Sequence, residues 1–224
     1  MNLVSWLIEF ILHMDTALPD MIEHYGPWVY VILFIVVFCE TGLVVTPFLP
    51  GDSLIFAAGW LAIAYGSFNI WILFIVFVSA AIIGDTVNYW LGHYIGPKVF
   101  RQEDSKFFKK KYLDDAHTFY KRHGSKTIFL ARFIPIIRTF APFVAGVGEM
   151  NYRKFIMYNV VGALAWVSIF LSLGYLFGDL PIVRGNLSLV FIAIIIISFV
   201  PLVLTWYLER RKKNRRRRKS PKKK

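Results

Sequence analysis

The chain has 224 residues, of which 57% are hydrophobic and only 18% are charged, and its mean hydropathy is +0.54. This composition excludes an ordinary soluble domain and indicates a membrane protein. The formal charge of +12 comes from one end, because residues 210–224 contain twelve Lys and Arg and no acid, whereas residues 1–209 are neutral overall.

Residues 1–14 place polar side chains on one face of a predicted helix and apolar side chains elsewhere. This pattern predicts an amphipathic helix in the membrane interface, and the start of a buried helix is an equally good alternative. We expect no secretory signal peptide, because the first 97 residues contain no Lys or Arg and therefore lack a basic n-region.

Further along the chain, four apolar stretches are candidates for helices that cross the membrane. A spanning helix needs about 20 mostly apolar residues. The stretches are 28–46, 69–96, 155–178 and 187–208.

Two other apolar stretches are interrupted by residues that break helices. Residues 46–65 contain two prolines before Gly51, and residues 127–150 contain Pro135 and Pro142 together with two arginines. Broken backbone at membrane depth is tolerated only where protein buries it or where it lines a cavity. We therefore predict two re-entrant hairpins.

The basic segments predict the topology. Residues 97–126 are rich in Lys and Arg, with aromatic residues at helical spacing, and this indicates an amphipathic helix on the cytoplasmic surface. The 210–224 tail is expected on the same side, where it would contact anionic lipid headgroups rather than nucleic acid. An even number of crossings must then separate the two segments. The 127–150 hairpin therefore opens to the cytoplasm, and the 46–65 hairpin opens to the outside.

Each half of the chain has the same order of motifs. Phe56-Ala-Ala-Gly59 is echoed by Phe143-Val-Ala-Gly146, and each precedes a stretch that ends in Gly-x-x-x-Gly. Repeats of opposite orientation whose broken segments meet near the midplane are typical of transporters. The predicted fold is an all-α membrane domain over residues 1–209. It combines inverted repeats, two re-entrant hairpins, spanning helices and interfacial amphipathic helices.

Four charged residues lie inside these apolar stretches: Glu40, Asp52, Arg132 and Arg138. Ionisable groups in the membrane are costly, and they usually face a cavity or a partner on a transport pathway. Asp85 is expected nearer the end of its span. The alternative is that the four charges form two structural ion pairs that lock the hairpins together.

The residue types suggest a division of chemistry. Arg132 and Arg138 carry permanent charge and a planar fork of donors that suits a phosphate group. Glu40 and Asp52 can gain or lose a proton, and both burial and nearby arginines influence when they do so. We therefore predict phosphate binding by the arginines and proton coupling by the carboxylates.

Enzymatic and metal-dependent functions have little support in the sequence. Gly51-Asp-Ser-Leu54 matches a lipase signature, but that family needs a soluble α/β scaffold to assemble its catalytic residues. The five histidines lack metal-binding spacing, and the single cysteine, Cys39, excludes a zinc site built from several cysteines. We expect no catalytic residues, no metal and no cofactor.

The chain resembles the DedA family of membrane proteins, also called the SNARE-associated or VTT domain family. The resemblance covers about residues 20–205 and depends on four blocks of motif residues. The blocks are Glu40-Thr-Gly-Leu43 with Pro47, Pro50-Gly-Asp52 and Ala58-Gly59; Gly84-Asp85 with Tyr89, Gly92 and Gly96; Arg132, Pro135, Arg138, Pro142, Ala145-Gly146, Met150 and Phe155; and Asn159, Gly162, Trp166, Gly174-Tyr175 and Gly178.

The resemblance implies a bacterial inner-membrane protein with two re-entrant hairpins and a role in envelope maintenance that depends on proton motive force. It also implies that Glu40, Asp52, Arg132 and Arg138 are functional. Some family members recycle undecaprenyl phosphate, and eukaryotic relatives scramble phospholipids. Supporting roles are expected for Asp85, Tyr89, Pro135 and Pro142.

The leading hypothesis is therefore a proton-coupled flippase for an anionic phospho-lipid, with undecaprenyl phosphate as the expected substrate. A phospholipid scramblase, a transporter of small cations or drugs, and a membrane-organising protein without transport activity are the alternatives. The expected partners are membrane lipids and protons, with no nucleic acid, and a homo-oligomer is left open.

Overall fold

The computed structural model describes residues 24–43, 51–64, 66, 68–100, 124, 126–178, 180–184, 190 and 193. The predicted N-terminal helix, nearly all of the 97–126 loop and of the 187–208 span, and the 210–224 tail lie outside these residues. The regular elements within them are helices: α1 (Trp28–Gly42), α2 (Gly51–Ala64), α3 (Ile70–Phe100), α4 (Lys126–Ala131), α5 (Pro135–Val147), α6 (Tyr152–Phe177) and α7 (Pro181–Arg184).

Two of these helices are long and apolar enough to cross a bilayer. They are Ile70–Ile95 of α3 and Tyr152–Phe177 of α6, with 26 residues each. A helix of this length measures about 39 Å, which exceeds the roughly 30 Å of a hydrocarbon core. These helices agree with the predicted spans 69–96 and 155–178.

Each of these helices begins at an asparagine. The side-chain oxygen of Asn69 accepts hydrogen bonds from the backbone N–H groups of Trp71 and Ile72, at 2.9 and 3.3 Å. Asn151 accepts in the same way from Arg153 and Lys154, at 3.0 and 3.4 Å. Asparagine is among the preferred N-cap residues because it satisfies N–H groups that have no partner within the helix.

Helix α1 runs alongside the first half of α3 in the same direction. The hydroxyl of Tyr30, near the start of α1, accepts a hydrogen bond of 2.9 Å from the backbone N–H of Asn69. At the other end, a Cβ atom on Gly42 would lie 3.2 Å from the Cα of Gly84, which is halfway along α3. α1 has 15 residues, about 22 Å, and is shorter than the predicted span over 28–46. It ends at the polar cluster described below, where Glu40 meets its partners.

Helix α5 packs against the second half of α3 at very close range. A Cβ atom on Gly92 would overlap the backbone carbonyl of Phe143, and one on Gly146 would overlap the carbonyl of Tyr89. Small residues allow the backbones of membrane helices to approach closely, so that packing contacts replace the hydrophobic effect, which does not drive association inside lipid.

Helices α2 and α6 form a matching contact in the other part of the molecule. A Cβ atom on Gly59 would overlap the carbonyl of Leu171, and one on Gly174 would overlap the carbonyl of Phe56. Each short helix therefore packs on the long helix of the other half of the chain, through the same Phe-x-x-Gly motif that the sequence repeats.

The buried apolar side chains form two clusters. The larger one lies between α1, α2, α3 and α6 and includes the fully buried Phe77, Trp60 and Trp166. The smaller one surrounds Phe155 and Tyr89 near the start of α6.

Candidate functional site

Arg138, in the first turns of α5, contacts two carboxylates from the first half of the chain. Its Nη2 donates a hydrogen bond to Oε1 of Glu40, in the last turn of α1. Its Nη1 donates to Oδ1 of Asp52, in the first turn of α2, at 2.7 Å. Side-chain exposure is 5% for Arg138, 1% for Glu40 and 13% for Asp52. Three helix ends therefore meet at one buried guanidinium.

The carboxylate of Glu40 also contacts the start of α2. The backbone N–H of Gly51 donates a hydrogen bond of 3.2 Å to Oε1 of Glu40. A Cβ atom on Gly51 would overlap this carboxylate, so a larger residue at this position would displace the Glu40 side chain. An anion at a helix N-terminus is stabilised by the helix dipole and by the N–H groups that lack partners within the helix.

Arg132 lies in the turn between α4 and α5, and it contacts both long apolar helices, α3 and α6. Its Nη2 donates to Oδ2 of Asp85 on α3 and, at 2.6 Å, to the side-chain oxygen of Asn159 on α6. Asn159 in turn donates to the backbone carbonyl of Ile82 at 3.1 Å, which fixes the orientation of its amide. A Cβ atom on Gly162 would lie 3.3 Å from Nε of Arg132, so the glycine leaves room for the guanidinium.

Trp166 lies between the two arginines. Its indole N–H donates a hydrogen bond of 2.8 Å to Oδ1 of Asp52, the oxygen that also accepts from Arg138. The guanidinium carbon of Arg138 lies 4.7 Å from the centre of a Trp166 ring, and that of Arg132 lies 5.9 Å away. Both distances fall within the range of cation–π attraction, which is strongest for tryptophan.

Asn88 ties the helices around the cluster together. Its side-chain amide donates to the backbone carbonyl of Thr41 at 3.1 Å and to that of Thr139 at 2.7 Å. Thr41 follows Glu40 and Thr139 follows Arg138, so a single buried amide on α3 contacts the backbone beside both residues. The network is thereby attached to α3.

The charges in this buried cluster do not balance. Glu40, Asp52 and Asp85 supply three carboxylates, whereas Arg132 and Arg138 supply two guanidiniums, so the fully ionised cluster carries a net charge of −1. A buried charge without a counter-ion is costly. The cluster can lower this cost by taking up one proton or one cation.

Four buried polar atoms of the cluster have no hydrogen-bond partner among the described residues. They are Glu40 Oε2, Asp85 Oδ1, Arg132 Nη1 and Arg138 Nε. Native proteins satisfy most buried polar groups, so atoms of this kind indicate where a proton, water or ligand would bind.

The structure brings the four predicted residues together and adds Asp85, which was expected nearer the end of its span. Its 2% exposure and its contact with Arg132 place it inside the cluster. Tyr89 lies apart, in the smaller apolar cluster, where its hydroxyl donates to the carbonyl of Met150. Pro135 starts α5, and Pro142 is buried within that helix.

Sequence reasoning assigned no role to Asn159 or Trp166, although both were noted as motif positions. The signals that sequence reasoning could have used are a polar amide and an indole N–H inside an apolar stretch without charged residues. Ser53 of the lipase-like motif is buried in α2.

Comparison with known proteins places the chain in a family. Residues 49–176 match the model of the VTT domain. The chain is 54% identical to Protein DedA of Escherichia coli K12 over 202 residues, which is 90% of this chain and 92% of the relative. It is 39% identical to an uncharacterised membrane protein of Mycobacterium tuberculosis H37Rv, over 83% of this chain and 86% of the relative.

The inner membrane protein YqjA of Escherichia coli K12 is 32% identical, over 81% of this chain and 82% of its own length. No solved structure matches the chain at a significant level. The domain match and the identity over nearly the whole chain agree with the apolar helices and with the motif residues in the cluster. The chain therefore belongs to the VTT-domain family of DedA-like membrane proteins.

Proposed function

We propose that the protein is a transporter that uses the proton motive force to move an anionic phospho-lipid across the bacterial inner membrane. Undecaprenyl phosphate is the proposed substrate, and envelope homeostasis is the proposed role. The observation that carries the proposal is the buried cluster of three carboxylates and two arginines, with its net charge of −1 when fully ionised. The carboxylates of such a cluster can bind and release a proton, and its arginines can bind an anion.

The proposed architecture has two re-entrant hairpins in inverted orientation. In the first hairpin, α1 enters beside the start of α3 and ends beside Gly84, and α2 returns from Gly51. This hairpin therefore includes α1 and covers more residues than the 46–65 segment expected from the sequence. In the second, α4 and α5 are joined at Arg132, and Gly146 near the end of α5 lies beside the second half of α3. The reciprocal glycine contacts support this arrangement.

Proton uptake by Glu40 or Asp52 is the proposed driving step. Both carboxylates face Arg138, so a proton on either one neutralises the excess negative charge and weakens one hydrogen-bonded ion pair. One charge that crosses the full membrane potential gains about 2.3 kcal/mol per 100 mV, which is enough to bias a transport cycle. Release of the proton on the other side would restore the pair.

The proposed ligand of the arginines is the phosphate of the lipid. One donor on each guanidinium, Nη1 of Arg132 and Nε of Arg138, has no hydrogen-bond partner among the described residues. Arginine donors form strong, directional hydrogen bonds with phosphate oxygens, and the permanent charge of the guanidinium suits a substrate that is always anionic.

The proposed location is the inner membrane, in several passes, with the basic 210–224 tail in the cytoplasm. The name of the YqjA relative supports the location, and the excess of Lys and Arg in residues 97–126 and 210–224 supports the orientation. The proposed partners are lipids and protons.

Reconstitution of the purified full chain in liposomes tests this function. Labelled undecaprenyl phosphate and labelled phosphatidylethanolamine are followed across the leaflets, with and without an imposed pH gradient. The proposal predicts movement of undecaprenyl phosphate that the gradient accelerates. The Glu149→Gln variant, which changes an exposed carboxylate outside the cluster, is the matched control.

The other outcomes would contradict the proposal in distinct ways. Equal movement of both lipids without any effect of the gradient would identify a scramblase. Absence of movement of either lipid, in vesicles where the protein is folded and correctly inserted, would favour a membrane-organising protein whose charges are structural ion pairs.

A further inference from the structure

We propose that the two arginines have different tasks. Arg132, together with the N-terminus of α5, binds the anionic headgroup, whereas Arg138 is the fixed counter-ion of the proton-carrying Glu40 and Asp52. Trp166 is the positioning residue that links the two half-sites. This assignment rests on the proposed function and goes beyond it, because the general proposal treats both arginines as phosphate ligands.

The first support is the unequal charge around the two guanidiniums. Arg138 contacts two carboxylates, so its half-site carries a net charge of −1 when all groups are ionised. Arg132 contacts one carboxylate, that of Asp85, and the neutral amide of Asn159, so its half-site is neutral. An incoming anion therefore meets more repulsion at Arg138, which faces two carboxylates, than at Arg132, which faces one.

The second support is the difference between the N-termini of the two short helices. The N-terminus of α2 already has Asp52 in its first turn and accepts the carboxylate of Glu40 at the N–H of Gly51. The first turn of α5 contains no acid, and no described side chain caps it. A helix N-terminus favours anions, because its dipole is positive there and its first N–H groups lack partners within the helix.

Arg132 connects this helix end to the cluster. It lies three residues before Pro135, where α5 begins, and is 2% exposed, and its Nη1 has no hydrogen-bond partner among the described residues. The buried Nη1 of Arg132 is thus a donor that a phosphate oxygen would satisfy, and the N–H groups that follow Pro135, which has none of its own, would supply further donors.

Trp166 is the structural link between the half-sites. Its N–H holds the Asp52 oxygen that also faces Arg138, while its aromatic rings lie within cation–π distance of both guanidiniums. Protonation of Asp52 would therefore weaken the hydrogen bond that holds the indole in position. The indole in turn lies within cation–π distance of Arg132, so its position affects that guanidinium.

Variants of the carboxylates provide a test that loss of folding cannot imitate. Asp85→Asn removes the carboxylate that competes with an anion for Arg132, so binding of undecaprenyl phosphate to the full chain in detergent should tighten by about tenfold, the effect of one charged hydrogen bond. Asp52→Asn removes a carboxylate of the other half-site, and it should change this affinity much less. Equal tightening by both variants would overturn the assignment.

Variants of the arginines themselves also test whether Arg132 and Arg138 have different tasks. Arg132→Lys should weaken binding of undecaprenyl phosphate at least about tenfold more than Arg138→Lys does. Arg138→Lys should instead abolish the acceleration of transport by a pH gradient in liposomes. The exposed Arg153→Lys is the matched control for both. Equal losses in both measurements for the two cluster variants would show that the arginines act as one clamp.

Trp166→Phe tests the link, since it keeps an aromatic ring but removes the N–H. It should reduce the response to the pH gradient and shift its pH profile, whereas the exposed Trp71→Phe should do neither. An unchanged pH profile in a folded Trp166→Phe protein would show that the indole only fills space. If the wild-type chain neither binds nor moves undecaprenyl phosphate, the proposed function itself fails, and this result is distinct from all those above.

Discussion

The indole N–H of Trp166, on the long apolar helix α6, donates a hydrogen bond of 2.8 Å to the carboxylate of Asp52, at the start of α2. The two residues lie 114 positions apart in the chain, in different halves of the sequence. Their contact joins the N-terminus of α2 to α6, the helix that also carries Asn159. The carboxylates of the first half of the chain and the arginines of the second half therefore form one network.

The proposed hairpins predict which residues share a side of the membrane. In a Cys39→Ser background, single cysteines at Lys126 and Arg153 should react with a membrane-impermeant reagent from the cytoplasm, because they lie at the two ends of the α4–α5 hairpin. Cysteines at Tyr25 and Trp71, which are exposed near the starts of α1 and α3, should react from the outside.

The labelling is measured in spheroplasts and in inverted membrane vesicles, with the unmodified Cys39→Ser protein as the control. Reaction of the Lys126 and Arg153 positions from opposite faces would exclude the second hairpin. Reaction of the Tyr25 and Trp71 positions from opposite faces would exclude the first.

The close contact between α3 and α5 predicts that a single larger side chain at Gly92 destabilises the protein. Gly92→Leu places atoms on the backbone carbonyl of Phe143, so the free energy of unfolding should fall by roughly 1–3 kcal/mol or more, as expected for overpacking. Thermal unfolding of the purified protein in detergent measures the effect. The neighbouring Leu91 is exposed, and Leu91→Ala should change stability by no more than about 0.5 kcal/mol. Equal effects of the two changes would contradict the proposed close packing.

Glu149 has a strained backbone conformation in the turn between α5 and α6. Its φ of 51° lies in the left-handed region, which costs a residue other than glycine about 1–3 kcal/mol. Glu149→Gly should therefore raise the melting temperature, by an amount that corresponds to roughly 1 kcal/mol after the extra flexibility of glycine is subtracted.

The matched control for this turn is Glu149→Ala, which removes the carboxylate but keeps the strain. It should not stabilise the protein in the same thermal unfolding measurement. A Glu149→Gly protein that melts at or below the wild-type temperature would show that the left-handed conformation carries no cost here.

Much of the fold follows from local features of the sequence. The apolar stretches 69–96 and 155–178 predict α3 and α6, because a helix long enough to span a membrane needs little more than length and apolarity. The length of α1 does not follow, because an apolar run gives no sign of where a helix ends inside the membrane. In the structure it ends beside Gly84, where Glu40 reaches Arg138 and Gly51.

The sequence predicts which charged residues belong to the site, but it does not predict which of them form ion pairs. Glu40, Asp52, Arg132 and Arg138 are conspicuous because they interrupt apolar stretches. Their partners depend on contacts between residues 86 and 98 positions apart, which no local pattern encodes. The same applies to Asp85, whose role depends on where the turn at Arg132 meets α3.

The most direct test of the central claim is the response of Glu40→Gln and Asp52→Asn proteins to a pH gradient in liposomes. Both substitutions imitate the protonated carboxyl, so each variant should still bind undecaprenyl phosphate but lose the acceleration by an outside-acid gradient that the wild type and the Glu149→Gln control show. If both variants retain full gradient-driven transport, these carboxylates do not carry the proton. The cluster would then be explained as structural ion pairs.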